Sequence, residues 1–150
     1  MDKIESVIQG SHKLTDIFGH WPSFHDAEVI ELHFCRGDGD PERKRSVFPV
    51  LTLKVHLWEL TRDMDEDGFL VRRHHTLANL RFHDVDEFSM DGFNHQNAIL
   101  ELVIEQGKRG DGPSPFFAVR IEAAFGISAS FNCLRIEILD ATPCTKDGEV

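Results

Sequence analysis

The sequence predicts an α+β fold: one domain over residues 1–150, a mostly antiparallel β-sheet with a short helical N-terminal segment. Three observations carry that expectation. Six stretches place apolar residues at every second position, the period of a half-buried strand and not the 3.6 of a helix. Loops rich in Gly, Asp and Pro ("RGDGDPERKRS", "TRDMDEDGF", "EQGKRGDGPSP") separate successive stretches, and short reversals of this kind join antiparallel strands, whereas parallel strands need long crossovers. A chain of 150 residues, 41% hydrophobic and 28% charged, suits a single folded core.

At the N-terminus, Lys3 to Gln9 and Lys13 to Phe18 read as short helices, with Ser11 or Thr15 as caps. "AEVIELHFC" follows as a strand with Ile30, Leu32 and Phe34 on one face and Glu31 and His33 on the other. "VLTLKVHLWEL" alternates more clearly, with Leu51, Leu53, Val55 and Leu57 opposed to Thr52, Lys54, His56 and Trp58. A third strand is expected at His75 to Phe82. "DVDEFSMDGFN" reads as a helical turn or an irregular crossing ended by Gly92. In the fourth strand, Ala98, Leu100, Leu102 and Ile104 oppose Glu101 and Glu105. Two long strands then divide near Ala124 to Gly126. The second changes parity between Cys133 and Leu134, which a β-bulge near Asn132 to Leu134 would reconcile. Residues from about 141 to 150 are expected to fray.

Composition narrows the function. A net charge of -10 repels a nucleic-acid backbone, and the one basic cluster, "PERKRS", lies in a loop beside "GDGD". No stretch reaches membrane-spanning length and the first residues lack a signal-peptide core, so a soluble cytoplasmic protein is expected. Cys35, Cys133 and Cys144 are odd in number and widely spaced, which favours free thiols. Nucleophile elbows, Walker loops and dinucleotide fingerprints do not occur, so neither a catalytic residue nor a cofactor is expected.

The chemistry-bearing residues concentrate in two Phe-His-Asp triplets, Phe24-His25-Asp26 before a strand and Phe82-His83-Asp84 after one. Were those strands antiparallel neighbours, the pairs would meet at one sheet edge. His25, Asp26, His83 and Asp84, with His95, would then offer ligands for a metal-dependent hydrolase. The competing reading is anchorage: each Asp bonds turn amides and each His fills a polar niche. His74 and His75, as successive strand residues, point to opposite faces, so at most one joins a given site. In "GFNHQNAI", Asn94 to Asn97 either close a turn through their own side chains or recognise a partner.

"FGHWPSFHDAEVIELHF" near the front, with "LRFHDV" and "GFNHQNAILELVI" in the middle, resembles the immunity protein 50 family, bacterial antidotes encoded beside polymorphic toxins. Trp21, Phe24, His25, Asp26, Gly92, Phe93, Asn94 and Asn97 carry the resemblance. It implies a non-catalytic protein that binds a cognate toxin; the acidic charge fits a basic toxin partner. Trp58, as an aromatic anchor, and the acidic residues Asp63, Asp65, Glu66 and Asp67 are the expected partner-binding set. Trp58 equally suits a role covering the sheet beneath the N-terminal helix. A metal-dependent hydrolase is the alternative, and a small-ligand-binding β-domain the third.

Overall fold

The computed structural model describes residues 3–37, 48–108 and 115–150, and "PERKRS" lies outside them. Among the described residues, eight strands, all paired antiparallel, form two four-stranded sheets. In the first, β1 (Glu28–Cys35), β2 (Val50–Met64), β3 (Leu70–His83) and β8 (Arg135–Pro143) lie in that order. In the second the order is β4 (Asp86–Asp91), β7 (Ser128–Cys133), β6 (Pro115–Ala123) and β5 (Ile99–Lys108). The expected α+β domain on antiparallel sheet is therefore present, with more strands than the alternation revealed.

Two seams hold the sheets together. At one, the antiparallel pair β3 and β8 passes into the second sheet as β4 and β7, so one ribbon serves both, as corner strands do in crossed sandwiches. The corner is cut at Asp84 (φ 59°) and Leu134, whose N–H donates to the His83 carbonyl. The parity change expected as a bulge falls here. Ala129, Phe131 and Cys133 face the core before the corner and Ile136 and Ile138 after it, while Leu134 alone turns outward. The second seam joins the starts of β1 and β5, where Ile99 N–H donates to the Ala27 carbonyl and Val29 N–H to the Asn97 carbonyl.

Between the sheets, Leu51, Leu53, Val55 and Leu57 of β2 pack with Ala78, Leu80 and Phe82 of β3 and with Val119, Ile121, Phe131 and Ile136. A small-ligand carrier needs a cavity in that interval, and these side chains occupy it. Register shifts correct two expected faces. A bulge between Val29 and Glu31 puts Val29 and Leu32 inward and leaves Ile30 exposed; a second between Ile99 and Glu101 does the same for Ile99 and Leu102, with Leu100 exposed. Apolar residues on both parities hid each shift.

The N-terminal segment covers the β8 edge. Gln9 N–H donates to the Ile136 carbonyl and its carbonyl accepts from Ile138, a parallel bridge that satisfies groups an open edge would leave bare. The expected first helix is only a 3-10 turn at Ile4–Val7. The second, α1 (His12–Phe18), buries Leu14 and Phe18. Neither expected cap acts through its side chain: Ser11 makes no capping bond and Thr15 lies within the helix. Gly19 instead ends it in the left-handed region (φ 79°), its N–H on the Thr15 carbonyl.

Two further corrections concern irregular stretches. "DVDEFSMD" contains strand β4, not a helical turn, and Phe88 is its residue against the core. The C-terminal stretch does not fray at Ala141: Ala141, Thr142 and Pro143 pair with Ala78, Leu77 and Thr76, and Thr145 then closes a turn on Asp147 and Glu149.

"GFNHQNAI" closes itself, as one of its two readings held. Asn97, 2% exposed, accepts the Asn94 N–H (2.9 Å) and donates to the carbonyls of Asn94 (2.7 Å) and Val29 (3.3 Å). Its own N–H reaches Glu28 Oε1 at 2.7 Å. A Cβ on Gly126 (φ 75°) would lie 2.2 Å from the Gln96 carbonyl, so this corner needs glycine twice over. Replacing Asn97 by Ala strands three partners, and chemical denaturation should register a loss of about 2 to 4 kcal/mol. Phe93→Ser, on an exposed ring of the same turn, should stay within about 0.5 kcal/mol.

Candidate functional site

Strands β2 and β3 outrun their neighbours. Along β2, β1 pairs no further than His56; along β3, β8 pairs no further than Thr76. Residues 59–64 and 70–73 therefore pair only with each other, as a two-stranded ribbon beyond the sheet. The turn at its tip is closed by Asp65, whose carboxylate accepts the N–H groups of Asp67 and Phe69 (2.9 Å each), with Gly68 at φ 85°. Of the acidic residues expected to meet a partner, Asp65 thus has a structural task, while Asp63, Glu66 and Asp67 are exposed around it.

The ribbon also exposes apolar residues, of which Met64 and Phe69 fall in the expected loop "TRDMDEDGF". Leu60, Met64, Phe69, Leu70 and Val71 are all exposed, Met64 to 66% and Phe69 to 71%. Isolated exposed apolar residues are ordinary; five on one short ribbon form a contiguous segment that the fold leaves uncovered. The readable signal was the strand-forming "FLVRR" directly after the "DEDG" turn.

A cleft of about 290 Å³ lies at the ribbon's base, between Trp58, Glu59 and Leu60 of β2 and the Trp21 to Asp26 loop. Trp58 is half-buried, with the Arg72 guanidinium 4.8 Å over its ring, so it contributes to packing while part of it lines the cleft. Glu59 receives Arg73 at 3.2 and 3.4 Å, and His74 Nε2 lies 3.6 Å away; the Arg73 bonds hold its carboxyl below the usual glutamate range. On the facing loop, His25 Nδ1 lies 2.9 Å from the Leu100 carbonyl. A carbonyl only accepts, so Nδ1 carries a proton, and Nε2 lies 3.6 Å from Asp26 Oδ2.

The two His-Asp pairs do not meet. β1 and β3 flank β2 on opposite sides and run parallel to one another, so the start of β1 and the end of β3 lie at opposite ends of the sheet. Glu28 is level with His56 and Leu77, whereas His83 is level with Val50, six residues or roughly 20 Å away. His83 binds Glu137 Oε1 through Nε2 (3.0 Å) and accepts from Arg135 at Nδ1 (3.1 Å); His95 is exposed on its turn. The ligand set drawn from His25, Asp26, His83, Asp84 and His95 is thus dispersed. Among the described residues no three His, Cys, Asp or Glu side chains are grouped to hold a metal. Asp26 (φ 68°) and Asp84 (φ 59°) both adopt the left-handed backbone at a strand boundary, a conformation Asp tolerates better than most residues.

The family model for immunity protein 50 matches residues 10–144. The chain belongs to the immunity protein 50 family. No curated protein and no solved structure matches it. The matched span takes in α1, all eight strands, the ribbon and both walls of the cleft. No helix among the described residues is long and apolar enough to cross a membrane. All three cysteines are free, and burial pushes the Cys133 thiol up to about 12, so it is not poised for chemistry.

His56, which the alternation sets on the face opposite the apolar one, is buried and is bonded through Nε2 to His75 Nδ1 at 3.1 Å; His33 lies opposite Thr52. Burial lowers both imidazoles below their ordinary value; His75 and then Arg72 add to the effect on His56, Arg72 adds to that on His75, and Asp147 opposes it at both. Each group is therefore neutral in the folded state at a pH where the unfolded chain already binds protons. Stability is full above the ordinary histidine value of about 6.5 and declines as pH falls through it. Thermal melts should show a falling Tm between pH 7.5 and 5.5, and His75→Gln should flatten that slope; a wild-type Tm constant over this range contradicts the assignment.

Proposed function

We propose that this immunity protein neutralises a cognate toxin by binding it, without turnover, through the β2–β3 ribbon and the cleft at its base. The family match supports antidote activity, and the ribbon is the observation that supports this surface. Apolar side chains that the fold leaves uncovered surround an acidic tip, a combination suited to a basic protein partner. Asp63, Glu66 and Asp67 steer the encounter, and Leu60, Met64, Phe69 and Trp58 provide the area that slows dissociation. A soluble cytoplasmic site of action accompanies this reading, with neither nucleic acid nor membrane as partner.

The test begins with the protein encoded beside this gene. Co-expression should yield a stable complex and restore growth of cells making that protein. Met64→Ser with Phe69→Ser leaves the core untouched and should weaken the complex at least about tenfold, chiefly in dissociation rate. Reversing Asp63, Glu66 and Asp67 to Lys should slow association about tenfold or more at low salt, with the difference shrinking as salt rises. A neighbour with no toxicity and no retained complex, or a complex indifferent to both variants, contradicts the proposal.

A further inference from the structure

The outer face of the first sheet is covered at one place. Strand β2 turns His56 and Trp58 away from the core, and the register sets Leu77 of β3 on the same side as His56. His56 and Leu77 are nevertheless buried, at 7% and 9% exposure, although neither belongs to the core between the sheets. What lies over His56 is the turn at residues 145–149: a Cβ on Gly148 would stand 3.5 Å from His56 Nδ1 and 3.9 Å from Ile30 Cδ1. Among the described residues this turn is tied to the sheet by the Cys144 N–H on the His75 carbonyl (2.9 Å). The rest closes on Thr145, whose hydroxyl accepts the Asp147 and Glu149 N–H groups and whose carbonyl accepts that of Gly148.

The bond beneath the turn joins two imidazoles, His56 Nε2 and His75 Nδ1 at 3.1 Å, and needs one nitrogen protonated and the other bare. A proton on the bare nitrogen destroys it and sets two N–H groups against each other. The groups around the pair do not offset that loss. Arg72 of β3 repels a second charge, while Asp147 of the turn attracts one; burial outweighs both and holds each ring below the ordinary histidine value. Lys146 and Glu149 flank Asp147, and Cys144 begins the turn. Glu28, opposite His56 on β1, gives its Oε1 to the Asn97 N–H, and His74 turns to Glu59 and Phe18. Hydration is the remaining relief for a charged ring. β2 and β3 are fixed by their ladder and the core, so the turn is the element that can yield.

We propose that residues 144–149 form a proton-controlled cover, docked while the His56–His75 pair is neutral and released when the pair takes up a proton. Release opens Ile30, His56 and His75 to solvent beside Trp58, whose ring lies 5.1 Å from His56 and 5.8 Å from His75. The sign is that of a group whose covered form binds protons less well than its free form: docking is full above about pH 6.5 and weakens as pH falls below it. By the same linkage, removing the cover raises the proton affinity of both rings. This behaviour belongs to the fold and does not depend on what the ribbon binds.

Amide exchange read by NMR on the full chain tests the cover directly, as protection factors that already allow for the intrinsic pH dependence of exchange. Between pH 7.5 and 5.5 the Cys144 and Gly148 amides should lose protection about fivefold, while those of Leu53 and Val55 keep theirs. Asp147→Asn should enlarge that loss, because it removes the group that favours a charged pair under the cover. Ending the chain at Pro143 should raise the titration midpoints of His56 and His75 by at least about half a pH unit. Thr145→Val, which deletes the acceptor that closes the turn, should shift them the same way without shortening the chain. Replacing both histidines by Gln should leave the Cys144 and Gly148 protection independent of pH. Protection that stays constant in the wild type, or that rises on acidification as an ion pair between Asp147 and an imidazolium would make it, overturns the proposal. So do histidine midpoints that neither the shortened chain nor Thr145→Val moves, and a loss of protection that persists without the two histidines.

Discussion

What this fold leaves uncovered is decided by unequal strand lengths. β1 and β8 pair with the central strands up to His56 and Thr76 and no further, so the outer third of β2 and β3 leaves the sheet without flanking ladders. A lone two-stranded ribbon is marginal in water, and its edges present unpaired N–H and C=O groups. Here it grows from a core in which Leu51, Leu53, Val55 and Leu57 are buried, and Arg73 holds Glu59 across its base. Charges at the edges and tip discourage edge-to-edge association while leaving an apolar surface available. In the proposed complex the same feature gives reach, steering and contact area.

The second constraint is the corner. Carrying one ribbon through both sheets requires a sharp bend at Asp84 and Leu134, and joining β1 to β5 requires another at Phe24 to Ala27. Both bends contain a Phe-His-Asp triplet. In each, Phe fills the core, Asp takes the left-handed backbone, and His bonds outward, His25 to the Leu100 carbonyl and His83 to Glu137. The triplets are therefore recurring solutions to a turning problem. The first also forms a wall of the cleft.

Much of this was legible in the sequence. The alternation of β2 gave its core face residue by residue because one parity is uniformly apolar. β1 and β5 misled because Val29 and Ile30, like Ile99 and Leu100, put apolar residues on both parities, and only a bulge decides between them. β4 escaped notice because Phe88 is its one residue against the core, the rest being polar or exposed. The acidic turn and Trp58 were visible as partner-binding candidates, whereas the cleft was not. It joins side chains more than thirty positions apart. The relation of the two triplets could not be read either, since it depends on whether β1 and β3 are neighbours or flank a third strand.

Hydrogen–deuterium exchange across the chain, free and in complex with the protein encoded beside it, tests most directly whether the unflanked ribbon is the toxin-facing element. Binding there should slow exchange of amides in residues 58–73 and 20–26 and leave β5 and β6 as in the free protein. Protection confined to β5 and β6, with residues 58–73 exchanging as fast as before, contradicts the account.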